Sequence, residues 1–198
     1  MIVLQNVTVY CGSADGLDEC YTGAALQIGA ALANRSITLV YGGGKTGLMG
    51  AVADGALAAG GKVVGVIPES MNTPALAHTG LTHLEVTPDI QTRFARMVGL
   101  ADAFIALPGG YGTLDELFQT LTWAQIGEHS KPVGLLNVRG YFDPLLTLLD
   151  HILTEKFIYP EHRGWVIPSP DPEALLQALC AFQPPVGLER WMTRENHE

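Results

Sequence analysis

Residues 102–116 read DAFIALPGGYGTLDE. An apolar run ends at Pro108, glycines follow at 109, 110 and 112, and after Thr113 come the acids Asp115 and Glu116. A short run that is apolar throughout, instead of alternating, marks a strand covered on both faces, as in a parallel sheet. A glycine turn leading from such a strand into a helical pattern is the strand–loop–helix unit of an α/β domain.

The same unit recurs along the chain. Strand-like runs are NVTVYCG, SITLVYGGG, KVVGVIP, LTHLEV, DAFIAL, PVGLLNV and WVIP. Helical patterns lie between them at about 17–33, 46–59, 88–100, 114–126 and 142–155, with a last one at about 172–182. The expectation is an α/β fold: a doubly wound parallel sheet with helices on both faces. Residues 1–182 read as a single nucleotide-binding domain and 183–198 as a C-terminal tail whose Trp191 could dock on the body.

Composition narrows the function classes. Hydrophobic residues make up 47% of 198 and charged residues 16%, which suits one folded domain with a sizeable core. Apolar runs are too short to span a bilayer, and the N-terminus lacks the basic start and cleavage site of a signal peptide. Cys11, Cys20 and Cys180 share no CxxC spacing, so neither a disulfide framework nor a zinc site is expected, and reduced thiols fit a cytoplasmic protein. A net charge of −9, with four lysines and seven arginines, argues against long nucleic acid. It leaves room for a mononucleotide, whose phosphate can be held by backbone N–H groups.

In a doubly wound sheet, ligands sit beyond the carboxyl ends of the strands. Three of those ends are rich in glycine: YCGSADG, YGGGKTGLMG and LPGGYGT. Together they suggest a phosphate or nucleotide cradle, with Gly12, Ser13, Gly43, Gly44, Thr46, Gly109, Gly110, Gly112 and Thr113 as the binding residues. Gly42, Gly44 and Gly47 also satisfy GxGxxG, and Glu69 lies where a ribose-binding acid would be, so a dinucleotide reading stays open. A Walker A loop is excluded because position 39 is leucine, and Lys45 reads as a solvent-facing loop residue.

In PGGYGTLDE, Thr113 is expected to N-cap the helix, and Thr113-x-x-Glu116 has the form of a capping box. Glu116 is therefore either a structural cap or a functional carboxylate. Leu114, Leu117, Phe118, Leu121 and Ala124 form the expected core stripe. Glu116, Thr120 and Trp123 fall on another face, which a ligand pocket or a second subunit would have to cover. On the preceding helix, Arg93 lies at the edge of a stripe formed by Ile90, Phe94, Met97, Val98 and Ala101, while Arg96 points outward. A guanidinium beside apolar surface wants an anionic partner: a nearby acid, a substrate phosphate or an active-site carboxylate.

YGGGKTGLMG and PGGYGTLDE resemble the two signature segments of the Lonely guy (LOG) proteins, cytokinin riboside 5′-monophosphate phosphoribohydrolases long mislabelled as lysine decarboxylases. The similarity runs from the first strand to about residue 167 and includes TWAQIG and KPVGLLNVRGYFDPLL. The resemblance implies a Rossmann-like fold, a homodimer, and neither metal nor cofactor. The implied reaction cleaves the N-glycosidic bond of an N6-modified AMP to free base and ribose 5-phosphate, with Arg93 and Glu116 as the catalytic residues. Where the family often reads Met-His-Glu-Arg-Lys, this chain has Ile90-Gln91-Thr92-Arg93-Phe94, a departure that bears on substrate choice.

The residues suit that chemistry. Breaking a nucleotide glycosidic bond develops oxocarbenium character on the ribose. A nearby carboxylate can stabilise that cation or accept a proton from attacking water, and Glu116 suits either role. No second carboxylate stands out as a proton donor to the leaving base, and no lysine stands out as a Schiff-base former. Two other classes stay open: a non-catalytic nucleotide or cofactor carrier on the same fold, and an NAD-type binder using Gly42–Gly47.

Overall fold

The computed structural model describes residues 2–186. The expectations for the tail beyond 186, Trp191 included, lie outside the described residues. Seven strands form one all-parallel sheet: β1 (Asn6–Tyr10), β2 (Thr38–Tyr41), β3 (Val63–Pro68), β4 (His83–Thr87), β5 (Ala103–Ala106), β6 (Val133–Leu136) and β7 (Val166–Ser169). Their order is β4-β3-β2-β1-β5-β6-β7. The chain winds outward from β1 to β4, then returns to lay β5 against the other side of β1. The point where the winding reverses is where such sheets leave a crevice.

The helices are α1 (Glu19–Asn34), α2 (Gly47–Ala58), α3 (Ile90–Leu100), α4 (Tyr111–Gln125), α5 (Asp143–Thr154), the single turn α6 (Pro160–Arg163), and α7 (Pro172–Ala181). Side chains alternate across each strand, so the sheet feeds two cores. Val7, Val9, Leu39 and Ile105 pack with α1, α2 and α7. Tyr10, Val40 and Phe104 pack with Phe94 and Met97 of α3 and Leu117 of α4. The sequence pattern does not reveal α6, which is only one turn long. No described helix is long and apolar enough to cross a membrane.

Polar contacts fix both ends of the β1–β5 seam. The Asp102 carboxylate accepts hydrogen bonds from the Gln5 and Asn6 N–H groups at 2.8 Å each. At the carboxyl end the Gly12 N–H donates to the Pro108 carbonyl at 3.0 Å. Helices α1 and α2 touch backbone to backbone: a Cβ on Gly29 would collide with the Val52 carbonyl, and one on Gly55 with the Leu26 carbonyl. Each helix therefore holds the other at a fixed distance, along with the glycine loop that leads into it.

Helix α4 differs from expectation in two ways. It begins at Tyr111, with Gly110 as its N-cap and no side-chain cap, so Thr113 caps nothing and no capping box forms. Its buried face is Thr113, Leu117, Thr120 and Ala124, while Phe118 is 37% exposed. In the sequence, Thr113 reads as the cap of the helix and Thr120 falls on the face away from the core. Thr120 is tolerated in the core because its hydroxyl bonds the Glu116 carbonyl at 2.8 Å and the Tyr10 hydroxyl at 2.9 Å. Trp123 packs edge-on against Phe94, with ring centroids 5.2 Å apart, so the cover it requires comes from its own chain.

Candidate active site

The loops after β1, β2 and β5, neighbours in the sheet, line a cleft of about 700 Å³. Of the residues expected to bind or react, Gly12, Ser13, Gly44, Thr46, Arg93, Gly109, Gly110, Gly112, Thr113 and Glu116 line it. Gly43 does not. It has φ +75° and packs toward Ile67 and Leu84 behind the loop, while Gly42 faces the cleft.

The loop after β5 delivers the N-terminus of α4 to the cleft. Gly109 is pressed between neighbours: a Cβ there would collide with the Thr113 side chain and lie 2.8 Å from the Gly12 nitrogen. Thr113 thus serves as a buried wedge beneath the loop. The α4 ladder begins with the Leu114 N–H donating to the Gly110 carbonyl at 3.1 Å. No protein acceptor within the described residues takes the N–H groups of Tyr111, Gly112 and Thr113. They stand at the positive end of the helix, an arrangement suited to an anion.

The N-terminus of α2 is closed by comparison. The Gly47 N–H donates to the Asp15 carboxylate at 3.1 Å, the Leu48 N–H to the Gly12 carbonyl at 2.9 Å, and the Thr46 hydroxyl to the Ser13 carbonyl at 2.9 Å. The donors of Thr46, Gly47 and Leu48 at the start of α2 are thus spent on the β1 loop. Lys45 is exposed, as expected, and donates to the Pro74 carbonyl at 2.6 Å.

Arg93 and Glu116 meet between these loops. Arg93 Nη1 donates to Glu116 Oε1 at 2.7 Å, and Nε donates to the Val66 carbonyl of β3 at 2.9 Å. Their side chains are 11% and 14% exposed. Burial lifts the Glu116 carboxyl above the usual carboxylate range, and the Arg93 guanidinium opposes that rise. Gly42 is required beside this pair, because any Cβ there would strike the guanidinium. Cys11 also lines the cleft, but burial and the Glu116 charge push its thiol well above its ordinary value, so it stays neutral. Among the described residues, Glu116 is the one carboxylate lining the cleft, and no lysine lines it.

The rest of the cleft comes from residues that the sequence does not single out. Met49, Ile67, Met71, Leu76 and Ile90 form an apolar wall on the β2–β3 side, and Tyr21 and Tyr141 stand on the other side. Ile90, expected in the core stripe of α3, is 44% exposed and belongs to this wall. Around Arg93 the departures from the family pattern divide by location. Gln91 and Thr92 are exposed, and Phe94 is buried against Trp123.

A family profile described as possible lysine decarboxylase matches residues 49–179. The chain is 46% identical to the cytokinin riboside 5′-monophosphate phosphoribohydrolase LOG5 of Arabidopsis thaliana, over 91% of this chain and 79% of that protein. It is 48% identical to the cytokinin riboside 5′-monophosphate phosphoribohydrolase of Rhodococcoides fascians, over 88% of this chain and 89% of that one. The chain belongs to the LOG family. Solved structures with the same fold include the molybdenum cofactor binding protein of Rippkaea orientalis, at TM-score 0.69 and 22% identity, covering 91% of this chain and 98% of that one. Another is the molybdenum cofactor carrier protein of Chlamydomonas reinhardtii, at TM-score 0.65 and 20% identity, covering 91% of this chain and 100% of that one. Within the LOG fold, the glycine loops cluster at the β1–β5 crevice and the ion pair closes its floor.

Proposed function

We propose that this LOG protein hydrolyses the N-glycosidic bond of AMP, or of an N6-modified AMP, to free base and ribose 5-phosphate. The observation that carries the reading is the Arg93–Glu116 pair, held in a cleft that is also lined by the N-terminus of α4, which has no side-chain cap. The 5′-phosphate sits on the N–H groups at the start of α4, which places the ribose over Glu116 and the base toward the apolar wall. The C1′–N9 bond breaks and its electron pair leaves with the base. Glu116 stabilises the cationic sugar, and water adds to C1′. A water proton passes to the carboxylate and is returned to solvent or base, so nucleotide and water become base and sugar phosphate. Burial raises the Glu116 carboxyl above the ordinary carboxylate range, which makes it a better proton acceptor than an exposed carboxylate. Arg93, with Nε tied to β3, holds the carboxylate in place.

A carrier would need the glycine loops but not a buried acid–guanidinium pair beside them, which favours turnover over storage. An NAD-type grip on α2 is disfavoured because the Gly47 and Leu48 N–H groups are already engaged. The pure protein, incubated with a panel of nucleoside monophosphates, should release ribose 5-phosphate from AMP-type substrates and not from adenosine or ATP. Equal rates on adenosine and AMP would sink the phosphate cradle.

We further infer a single domain over residues 1–182, cytoplasmic, without long nucleic acid or membrane partners, and paired as a homodimer. The pairing rests on exposed apolar residues of α4, α5 and the segment after it: Phe118 at 37%, Leu148 at 46% and Phe157 at 75%. Sedimentation of a monomer at micromolar concentration would count against it.

A further inference from the structure

The phosphate-facing loop contains the peptide between Gly109 and Gly110, the one link in it flanked by two residues without a Cβ. Such a peptide plane can rotate with little steric resistance. Because the peptide is planar and trans, the Gly109 carbonyl and the Gly110 N–H point in opposite directions. A flip would therefore exchange a donor for a carbonyl oxygen beside the bound anion and turn attraction into repulsion. Neighbouring links are held otherwise: the Pro108 carbonyl accepts from Gly12, and Thr113 wedges beneath Gly109.

Among the described residues, one side chain hydrogen-bonds this peptide. The Tyr141 hydroxyl donates to the Gly109 carbonyl at 2.6 Å. Tyr141 itself is anchored away from the loop. Its N–H donates to the Val138 carbonyl at 3.0 Å, and its ring meets Phe142 at 5.1 Å and Tyr21 at 6.1 Å, both edge-on. The following residue, Phe142, is buried, and its N–H donates to the Asn137 side chain at 2.7 Å. The hydroxyl thus comes from a braced segment after β6, which owes nothing to the loop it holds.

We propose that Tyr141 is a positioning residue: its hydroxyl locks the Gly109–Gly110 peptide in the orientation that presents the Gly110 N–H for phosphate binding. The inference rests on the phosphoribohydrolase reading for its substrate, but its test does not require turnover. Tyr141→Phe removes the hydroxyl and leaves both ring contacts. Titration calorimetry with ribose 5-phosphate and with inorganic phosphate should show binding weakened about fivefold, the usual size of one lost neutral hydrogen bond. Binding of free adenine should be unchanged, KM for AMP should rise by the same factor, kcat should change by less than about twofold, and the melting temperature should hold within a few degrees. Wild-type phosphate affinity in Tyr141→Phe would overturn the proposal. So would an equal loss for adenine and ribose 5-phosphate, which would mark a general loosening. A wild-type protein that binds these phosphates but splits no nucleotide would overturn the function and leave the lock standing. A wild-type protein that binds neither would overturn both.

Discussion

Arg93 on α3 and Glu116 on α4 share a 2.7 Å ion pair across the crevice, and each is also tied to a strand or to a core residue. Arg93 reaches back to the Val66 carbonyl of β3. The Glu116 carbonyl accepts from Thr120, whose hydroxyl is joined to Tyr10 of β1. The residue that carries the carboxylate is therefore tied both to β3, through Arg93, and to β1, through Thr120.

Glu116→Gln keeps an acceptor for Arg93 but cannot become a carboxylate. Turnover of AMP should fall by about 10²–10⁴-fold, the usual contribution of a general base. Calorimetric AMP affinity should persist, because the proposed phosphate contacts are main-chain N–H groups at the start of α4, which the substitution leaves in place. Wild-type turnover in this variant would remove Glu116 from the chemistry.

Arg93→Lys replaces a two-point clamp with a point charge that cannot serve both Val66 and Glu116. Burial then acts on Glu116 with less opposition, so its carboxyl should rise further above the ordinary range. The reaction needs the ionised form. The acid limb of the kcat/KM profile should accordingly move to higher pH in the variant, along with a lower plateau. An unmoved limb would mean that Arg93 does not govern Glu116.

Gly42→Ala tests the space beside the pair. The added methyl meets the guanidinium, so Arg93 must shift. Displacements of about 1 Å at a reacting centre can cost about 10²-fold. Activity should drop by at least about tenfold while circular dichroism stays native. Full activity would mean that Arg93 is free to move without consequence.

His129 links α4 to β6 in the neutral form: its ring contacts the Thr120 carbonyl at 3.0 Å and accepts from the Lys131 N–H at 3.2 Å. Burial lowers its pKa from 6.5 to about 4. Between those values the unfolded chain binds a proton that the folded protein does not, so this group's contribution to stability is lost as pH falls from about 6.5 to about 4. Melting curves of wild type and His129→Gln should converge in that window as the wild type loses its advantage. A constant difference across the window would show that His129 is not the titrating group.

How far the sequence reaches depends on the kind of signal. The central strands are legible because a parallel strand buried on both faces cannot hide its apolar run, whereas the edge strand β4, HLEVT, is only partly buried and shows a weaker one. Arg93 is legible because a charge at the edge of an apolar stripe has few places to go. The two roles of Glu116 cannot be separated from sequence, since the choice turns on which residue caps α4. That residue is Gly110, which follows a Gly109 pressed between the Thr113 side chain and the backbone of Gly12, a residue far away in the chain. The face of α4 is misread because Thr120 satisfies its hydroxyl internally and Thr113 is buried as a wedge under Gly109. The apolar wall and Tyr141 carry no local mark at all, since they converge on the cleft from distant segments.

The late return of the chain to β1 also shapes how the protein can be made. Until residues 103–106 are available, β1 has a partner on one side only, and its other edge is an open row of hydrogen-bonding groups on a strand that the folded protein buries on both faces. Such an edge recruits other chains. A fragment ending after β4 should therefore precipitate, and a growing chain is exposed to the same hazard until β5 closes the seam, the step that also brings the Pro108–Glu116 segment to the crevice.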